Sequence, residues 1–161
     1  MRLNAALLKC WMKRGEQKRI PLFTGTRKTQ MLAGTLNWRT NHVHVQELTH
    51  LNSESLISYF EGLLTDIYPT QTIVLVMDNA SFHHSRALQA ALAWFSERVL
   101  IFWLPPYSPD LNPIERFWKH LKDHCANYLY SSFTELLDCI QQLIRCQNLD
   151  GHDLQVVFSK H

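Results

Sequence analysis

The sequence predicts an α/β fold in which a parallel pair of buried strands lies between helices. Two uninterrupted apolar runs, Ile73 to Met77 and Val99 to Leu104, are typical of strands that are buried on both faces. Amphipathic helical patterns precede the first run and separate it from the second. Because a helix that joins two strands of one sheet makes a right-handed crossover, we expect the two runs to be parallel neighbours.

The composition fits one intracellular globular domain. A chain of 161 residues with 46% hydrophobic content is long enough for one sizeable core and crowded for two. The formal charge of +2 neither requires nor excludes nucleic acid, so any basic surface has to be local. Lys9 interrupts the only apolar stretch near the start, which excludes a signal sequence or membrane span there. The four cysteines lack metal-binding spacing, and we expect them to be reduced in the cytoplasm.

The most basic segment covers residues 9 to 30, with Trp11 and Phe23 among its cations. A charge run of this kind is most often a solvated loop, and the alternative is a surface that contacts phosphates. Under that alternative, the candidate DNA-binding residues are Lys13, Arg14, Lys18, Arg19, Arg27 and Lys28.

A hairpin and a helix are expected next along the chain. The segments 30–37 and 43–48 predict two antiparallel strands, joined by a short turn at residues 38–42. Asn52 can cap a helix that ends at Tyr68. The apolar positions of this helix follow a period of 3.6 residues and are Leu56, Ile57, Phe60, Leu63, Leu64 and Ile67.

Three more helices are predicted, and none of the segments between them reads as a domain linker. The helix between the two apolar runs carries Ala87, Leu88, Ala91, Leu92 and Phe95 on one face. Four prolines between positions 105 and 113 predict a stiff, extended loop. The helix after it is expected to have Asn112 as its cap and Pro113 at its first position. Its inward stripe is Ile114, Phe117, Trp118, Leu121 and Cys125. The capping box 132–135 starts the last helix, whose apolar face is Phe133, Leu136, Leu137, Ile140, Leu143 and Ile144.

Two carboxylates are the strongest candidates for chemistry. Asp78 follows the first apolar run directly, at the end of a strand where ligands collect in open α/β sheets. Glu115 lies in the first turn of the helix that follows the proline-rich loop. Both have a plain structural alternative, because Asp78 can open a turn and Glu115 can complete a capping box with Asn112. If the two converge, carboxylates from separate elements suit a hard divalent cation.

The residues around these carboxylates resemble the second and third catalytic blocks of the DDE transposases. One block is Val76-Met-Asp-Asn-Ala-Ser-Phe-His83, and the other is Leu104-Pro-Pro-Tyr-Ser-Pro-Asp-Leu-Asn-Pro-Ile-Glu-Arg-Phe-Trp118. More narrowly, the pair is similar to the mariner-like bacterial insertion-sequence branch, and the resemblance covers about residues 10–147.

The resemblance implies an RNase H-like mixed sheet flanked by helices and a divalent-metal-dependent activity on DNA. Mg²⁺ or Mn²⁺ would be held by Asp78 and Glu115 during cleavage and strand transfer at transposon ends. Asn79, His83 and Asn112 would have supporting roles around the same site.

The chain also departs from the family pattern at its start. In the family, the first catalytic Asp lies on the first strand of the sheet, upstream of the segment that Trp11 and Gly15 resemble. The ten residues before Trp11 contain neither Asp nor Glu. We therefore expect one incomplete catalytic domain over residues 1–161, which lacks the first strand, the first acid and the helix-turn-helix region. Such a chain would be inactive alone and would need an upstream segment or a second copy.

Two other functions remain open at this point. The chain could be a non-catalytic remnant that binds DNA or a transposase subunit. It could also be an unrelated RNase H-like nuclease that cuts RNA or structured DNA, which only the proline-rich block argues against.

Overall fold

The computed structural model describes residues 1–3, 29–79, 83, 85–126 and 130–150. Within these ranges the chain forms five strands and four helices. In chain order they are β1 (Arg2–Leu3), β2 (Gln30–Leu36), β3 (Val43–Leu48), α1 (Ser53–Gly62), β4 (Ile73–Met77), α2 (Arg86–Trp94), β5 (Val99–Trp103), α3 (Ile114–Cys125) and α4 (Phe133–Asp150). The six candidate DNA-binding residues, with Trp11 and Gly15, lie outside the described residues.

The strands form two sheets. One is antiparallel in the order β1-β2-β3, and the other is the parallel pair β4-β5. The predicted hairpin and the predicted parallel pair are both confirmed, with Gly34 opposite Val45 and Leu75 opposite Ile101. The two-residue strand β1 was not foreseen, because a segment this short carries no periodic signal.

The expectation that β4 and β5 are buried on both faces is wrong. Leu75, Met77 and Val99 are buried against α1 and α2. On the opposite face, Val74 is 58% exposed and Phe102 is 61% exposed. An apolar run shows that a strand is able to pack on two sides, but the number of helices that cover it is decided by distant parts of the chain.

Two apolar clusters hold the helices on the sheets. The first joins α1, α2 and β4, and it includes Leu48, Leu56, Phe60, Leu64, Leu75 and Leu88. The second joins α3 and α4 to β2 and β3, and it includes Leu32, Val43, Phe117, Trp118, Leu121 and Ile140. The helical stripes read from the sequence are therefore confirmed, except at Ala87, which is exposed, and at Ile67, which is 42% exposed. It ends the π-helical turn Leu63–Ile67 that extends α1.

Helix capping follows the sequence at α1 and departs from it at α3. The side chain of Asn52 accepts a hydrogen bond from the Ser55 amide at 2.9 Å, as a helix cap does. At α3 the cap residue is Pro113, which provides no side-chain bond, and the Asn112 carbonyl accepts the Glu115 amide instead. The predicted side-chain cap from Asn112 is not formed.

The proline-rich loop is also more compact than expected. It contains a 3₁₀ turn at Pro109–Leu111, and Tyr107 adopts a positive φ of 58°. The four prolines restrict the backbone at their own positions and at the residues before them, but the residues between them can still form a turn.

The outer edge of β3 is covered by a side chain from α4. The Asn148 side-chain oxygen accepts the Val43 amide at 2.7 Å, and its nitrogen donates to the Val43 carbonyl at 3.0 Å. This amide group pairs with the backbone as a neighbouring strand would. No helix in the described ranges is long and apolar enough to cross a bilayer.

Candidate carboxylate site

A cleft of about 980 Å³ lies between β2 and β4, and we call it the β2–β4 cleft. Its walls come from residues 32–36 of β2 and from all of β4, and its lining also includes Met1 and Trp118. Of the site residues predicted from the sequence, Asp78, His83, Asn112 and Glu115 line this cleft. Asn79 is exposed and is not among the lining residues.

Asp78 is held by His83 at the end of β4. The Nδ1 atom of His83 lies 2.9 Å from Asp78 Oδ1 and 3.0 Å from the Asp78 carbonyl oxygen. Both oxygens can only accept, so Nδ1 carries the proton and donates to them. The His83 side chain is 14% exposed and that of Asp78 is 43% exposed. The histidine is therefore the packed partner that orients the more open carboxylate.

Glu115 is half-buried in the first turn of α3, and its environment raises its pKa. Burial is the largest cause, the positive charge of Lys122 acts in the opposite direction, and the negative charge of Asp78 raises the pKa further. The two carboxylates therefore interact electrostatically. A pair of acids that repel each other in a partly desolvated cleft favours the uptake of a cation or a proton.

Two cationic groups near the site were missed by sequence reasoning. The Met1 amino group donates to the Leu32 carbonyl, and burial lowers its pKa while Glu115 and Asp78 act to raise it. Lys122 lies seven residues after Glu115, which places both on one face of α3. That spacing was a usable signal for Lys122, whereas no local pattern could have placed the Met1 amino group within the influence of Glu115 and Asp78.

The two carboxylates are suitable ligands for a hard divalent ion, although two ligands are few. Two carboxylates that repel each other are the oxygen ligands that Mg²⁺ and Mn²⁺ take. Among the described residues, no group of three His, Cys, Asp or Glu side chains is arranged to hold a metal ion. A complete site for two ions would need more oxygen ligands than these two side chains offer.

The comparison that decides the family is a match to the model of the DDE superfamily endonucleases over residues 1–137. The chain belongs to this family. The match contains both carboxylates and every element from β1 to the start of α4.

Two curated relatives are informative. The chain is 31% identical over 145 residues to an insertion element IS630 protein of 39 kDa from Shigella sonnei, a match that covers 88% of the chain and 41% of that relative. It is 33% identical over 75 residues to the Tcb2 transposase of Caenorhabditis briggsae, which covers 45% of the chain and 26% of that protein. The chain thus spans less than half the length of either relative.

Solved structures confirm the RNase H-like fold. The chain superimposes on the Mos1 transposase paired-end complex with a TM-score of 0.63 at 17% identity, covering all of this chain and 54% of that one. The catalytic domain of the Mos1 mariner transposase gives a TM-score of 0.56 at 18% identity, covering 87% of this chain and 79% of that one. At these identities the likeness establishes the fold, and the roles of individual residues stay predictions.

Proposed function

We propose that this DDE endonuclease domain belongs to a transposase that cuts and joins DNA with a divalent metal ion, and that Asp78 and Glu115 are two of its metal-binding acids. The observation that carries the proposal is that both side chains line the β2–β4 cleft and that the charge of Asp78 raises the pKa of Glu115. Family membership supports the reaction class. One neighbour is a Mos1 paired-end complex with Mn, which supports Mg²⁺ or Mn²⁺ as the ion.

Each residue of the site has a role that its contacts suggest. Asp78 binds the ion from the end of β4, and His83 holds that carboxylate in place through Nδ1. Glu115 approaches from the first turn of α3, where its amide donates to the Asn112 carbonyl. Asn79 follows Asp78 directly and is given a supporting role by the family resemblance alone. When bound, a divalent ion neutralises phosphate charge and activates a water molecule or a 3′-hydroxyl group for attack on a DNA phosphodiester.

We infer that the described residues need a third acid before they cut DNA. Two carboxylates hold one magnesium ion loosely, because this ion keeps its water unless several oxygens replace it in near-octahedral geometry. The register of β1 indicates where a third acid would enter. Met1 lies opposite Leu32, so a residue placed two positions before Met1 would lie opposite Gly34, on the face that α3 covers. A residue one position before Met1 would face the α1 core with Ala33.

The partners proposed are transposon-end DNA and either an upstream transposase segment or a second copy of the chain. Two neighbours are Mos1 complexes, a paired-end complex with the left transposon end and a strand transfer complex. The phosphate contacts are assigned to the basic residues of segment 9–30 that were named above. We propose one catalytic domain with its core at residues 10–147, located in the cytoplasm.

The test is a nicking assay on DNA that carries the ends of the matching element, with Mg²⁺ or Mn²⁺. The 161-residue chain should give no nicks. An added amino-terminal segment with Asp two positions before Met1 should restore them, and Glu115→Gln should abolish them again. The matched control moves the Asp to one position before Met1, where it faces the core and should give no activity. Nicking by the unextended chain that survives Asp78→Asn would overturn both the site and the need for a third acid.

A binding role without catalysis is the second candidate. One neighbour, the Mos1 paired-end complex with the left transposon end, supports it. It predicts that the chain binds transposon-end DNA or a transposase subunit with equal affinity in the wild type and in the Asp78→Asn, Glu115→Gln double variant, with no activity in any extended form.

A further inference from the structure

Two histidine rings lie next to each other at the end of the β2–β3 hairpin. His42 and His44 are separated by one residue, so their side chains lie on the same face of the hairpin, as alternate residues of a strand do. The ring centres are 4.6 Å apart, and the ring planes are tilted by 43°. Both side chains are partly buried, and neither lines the β2–β4 cleft. The pair is therefore separate from the carboxylate site.

Each ring of this pair has a nitrogen that a ligand could use. The Nδ1 atom of His42 is buried and has no hydrogen-bond partner among the described residues. A buried polar atom in this state destabilises a fold unless something binds it. The ring of His44 is bonded through Nε2, which lies 3.3 Å from the Tyr68 hydroxyl, so Nδ1 is the second available nitrogen. Neutral imidazole nitrogens are common ligands of transition-metal ions.

The Tyr68 hydroxyl holds the His44 ring as metal-bound histidines are usually held. A histidine that binds a metal through one nitrogen typically donates the N–H of the other to an oxygen. The side-chain oxygen of Asn37 accepts the amides of Arg39 and Thr40. The side-chain nitrogen of Asn37 donates to the Tyr68 hydroxyl at 2.8 Å. Because a hydroxyl oxygen has two acceptor sites, it can also accept the Nε2–H of His44, which leaves the lone pair on Nδ1.

The spacing of the two rings fits one metal ion. Because the Zn–N distance is about 2.0–2.1 Å, a ring centre lies about 3.2 Å from a zinc ion bound to one of its nitrogens. Two such rings have centres about 5.2 Å apart at the tetrahedral angle and about 4.5 Å apart at a right angle. The 4.6 Å between His42 and His44 lies in this range. The 6.2 Å between the rings of His120 and His124 on α3 lies outside it.

We propose that His42 and His44 form a zinc-binding site at the end of the β2–β3 hairpin, in which Nδ1 of each ring binds the ion and Tyr68 orients His44. Water completes the coordination, because zinc takes four ligands. Imidazole suits zinc, whereas Mg²⁺ prefers oxygen, so this site differs in chemistry from the pair Asp78 and Glu115. Bound zinc gives the buried Nδ1 of His42 a partner. The inference holds whether or not the carboxylates cut DNA.

The experiment is a zinc titration of the folded chain, followed by NMR of the ring nitrogens at about pH 7.5, where an ordinary histidine ring is neutral. The Nδ1 signals of His42 and His44 should change together with one affinity, and Mg²⁺ should leave both unchanged. His42→Gln should weaken the zinc affinity measured at His44 by about tenfold or more, because the second ring of the chelate is lost. His44→Gln should have the same effect at His42. The matched control is His120→Gln, which removes a ring of the helical pair and should leave the hairpin affinity unchanged.

Modification by diethyl pyrocarbonate is the second measurement, and it applies to the wild type even if a variant folds poorly. Zinc should slow the modification of His42 and His44, read by peptide mass spectrometry, and should leave the exposed His50 unaffected. Unrelated zinc affinities at the two rings, or an affinity at His44 that His42→Gln leaves unchanged, would overturn the proposal. Equal protection of His50 would overturn it as well. Neither readout involves nuclease activity, so a negative result here leaves the nicking assay independent.

Discussion

The indole ring of Trp118 occupies the space that a side chain on Gly34 would need. A Cβ atom at position 34 would lie 2.6 Å from Trp118 Cη2 and 3.1 Å from the His44 carbonyl oxygen. Glycine at this position therefore lets α3 approach β2 closely, which helps to place Glu115 in the lining of the β2–β4 cleft.

Replacing Gly34 with alanine should destabilise the fold. Trp118 is 5% exposed and has little room to move, so the overpacking should lower the free energy of unfolding by about 1–3 kcal/mol. Chemical denaturation measures the change. Gly62→Ala is the matched control, because its nearest neighbour is 4.0 Å away and α1 should gain about 0.5–1 kcal/mol from the better helix former. Equal effects of the two substitutions would contradict the close packing of Trp118 on β2.

Acidification should destabilise the hairpin end of the fold through His44. Burial lowers the pKa of His44, the neighbouring His42 lowers it further, and its Nε2 atom lies 3.3 Å from the Tyr68 hydroxyl. A histidine with a lowered pKa takes up its proton more readily in the unfolded chain. The neutral His44 ring therefore stabilises the fold at pH values above the ordinary histidine pKa of about 6.5, and this stabilisation is lost as the pH falls below that value.

His44→Gln should accordingly flatten the dependence of stability on pH between about 7 and 5. Denaturation midpoints at several pH values measure this slope. His50→Gln serves as the control because His50 is exposed, and it should leave the slope close to that of the wild type. A slope that is identical in the wild type and in His44→Gln would show that the folded state does not discriminate against the charged ring.

Cys125 should resist alkylation while the protein is folded. Its side chain is 2% exposed at the end of α3, and burial, together with the nearby Cys139, raises its pKa to about 12. Since the thiolate is the reactive form, iodoacetamide at about pH 8 should modify Cys125 only after denaturation. Cys146 is exposed and should react in the native state, and peptide mass spectrometry resolves the two sites. Similar native rates at both positions would refute the packing of α3 described above.

Arg98 should contribute more to the stability of the fold than an exposed cation does. Its Nη2 atom donates to the carbonyl oxygens of Leu64 and Tyr68, so one guanidinium joins the end of the π-helical turn to the strand pair. Arg98→Met keeps much of the length but removes the donors, and it should lower stability by about 1–3 kcal/mol. Lys119→Met, an exposed change on α3, should stay within about 0.5 kcal/mol. Thermal unfolding compares them, and equal losses would argue against the bridging role.

The parts of the fold that could be predicted from the sequence are those that depend on residues close to one another in the chain. The stripe from Ile114 to Cys125 repeats with the helix period, and each of its apolar residues is buried. The hairpin of β2 and β3 follows from alternation and a turn. Asp78 and Glu115 could be proposed because one ends an apolar strand and the other begins a helix.

What the sequence could not predict depends on residues that are far apart in the chain. The exposure of Val74 and Phe102 reflects the helices that lie elsewhere, and the charge of Lys122 matters only because α3 faces the cleft. The contact of Met1 with Leu32 spans 31 residues, and no periodic pattern reports a pairing of that kind. The two acids and Lys122 could therefore be proposed from the sequence, whereas the position of the Met1 amino group could not.

The side-chain amide of Asn148 closes the outer edge of the antiparallel sheet at Val43. One side chain, that of Asn148, already forms hydrogen bonds with both the amide and the carbonyl of Val43. A free chain that approached β3 at Val43 would have to displace the Asn148 side chain first. Self-association through this part of β3 into extended aggregates is thereby suppressed.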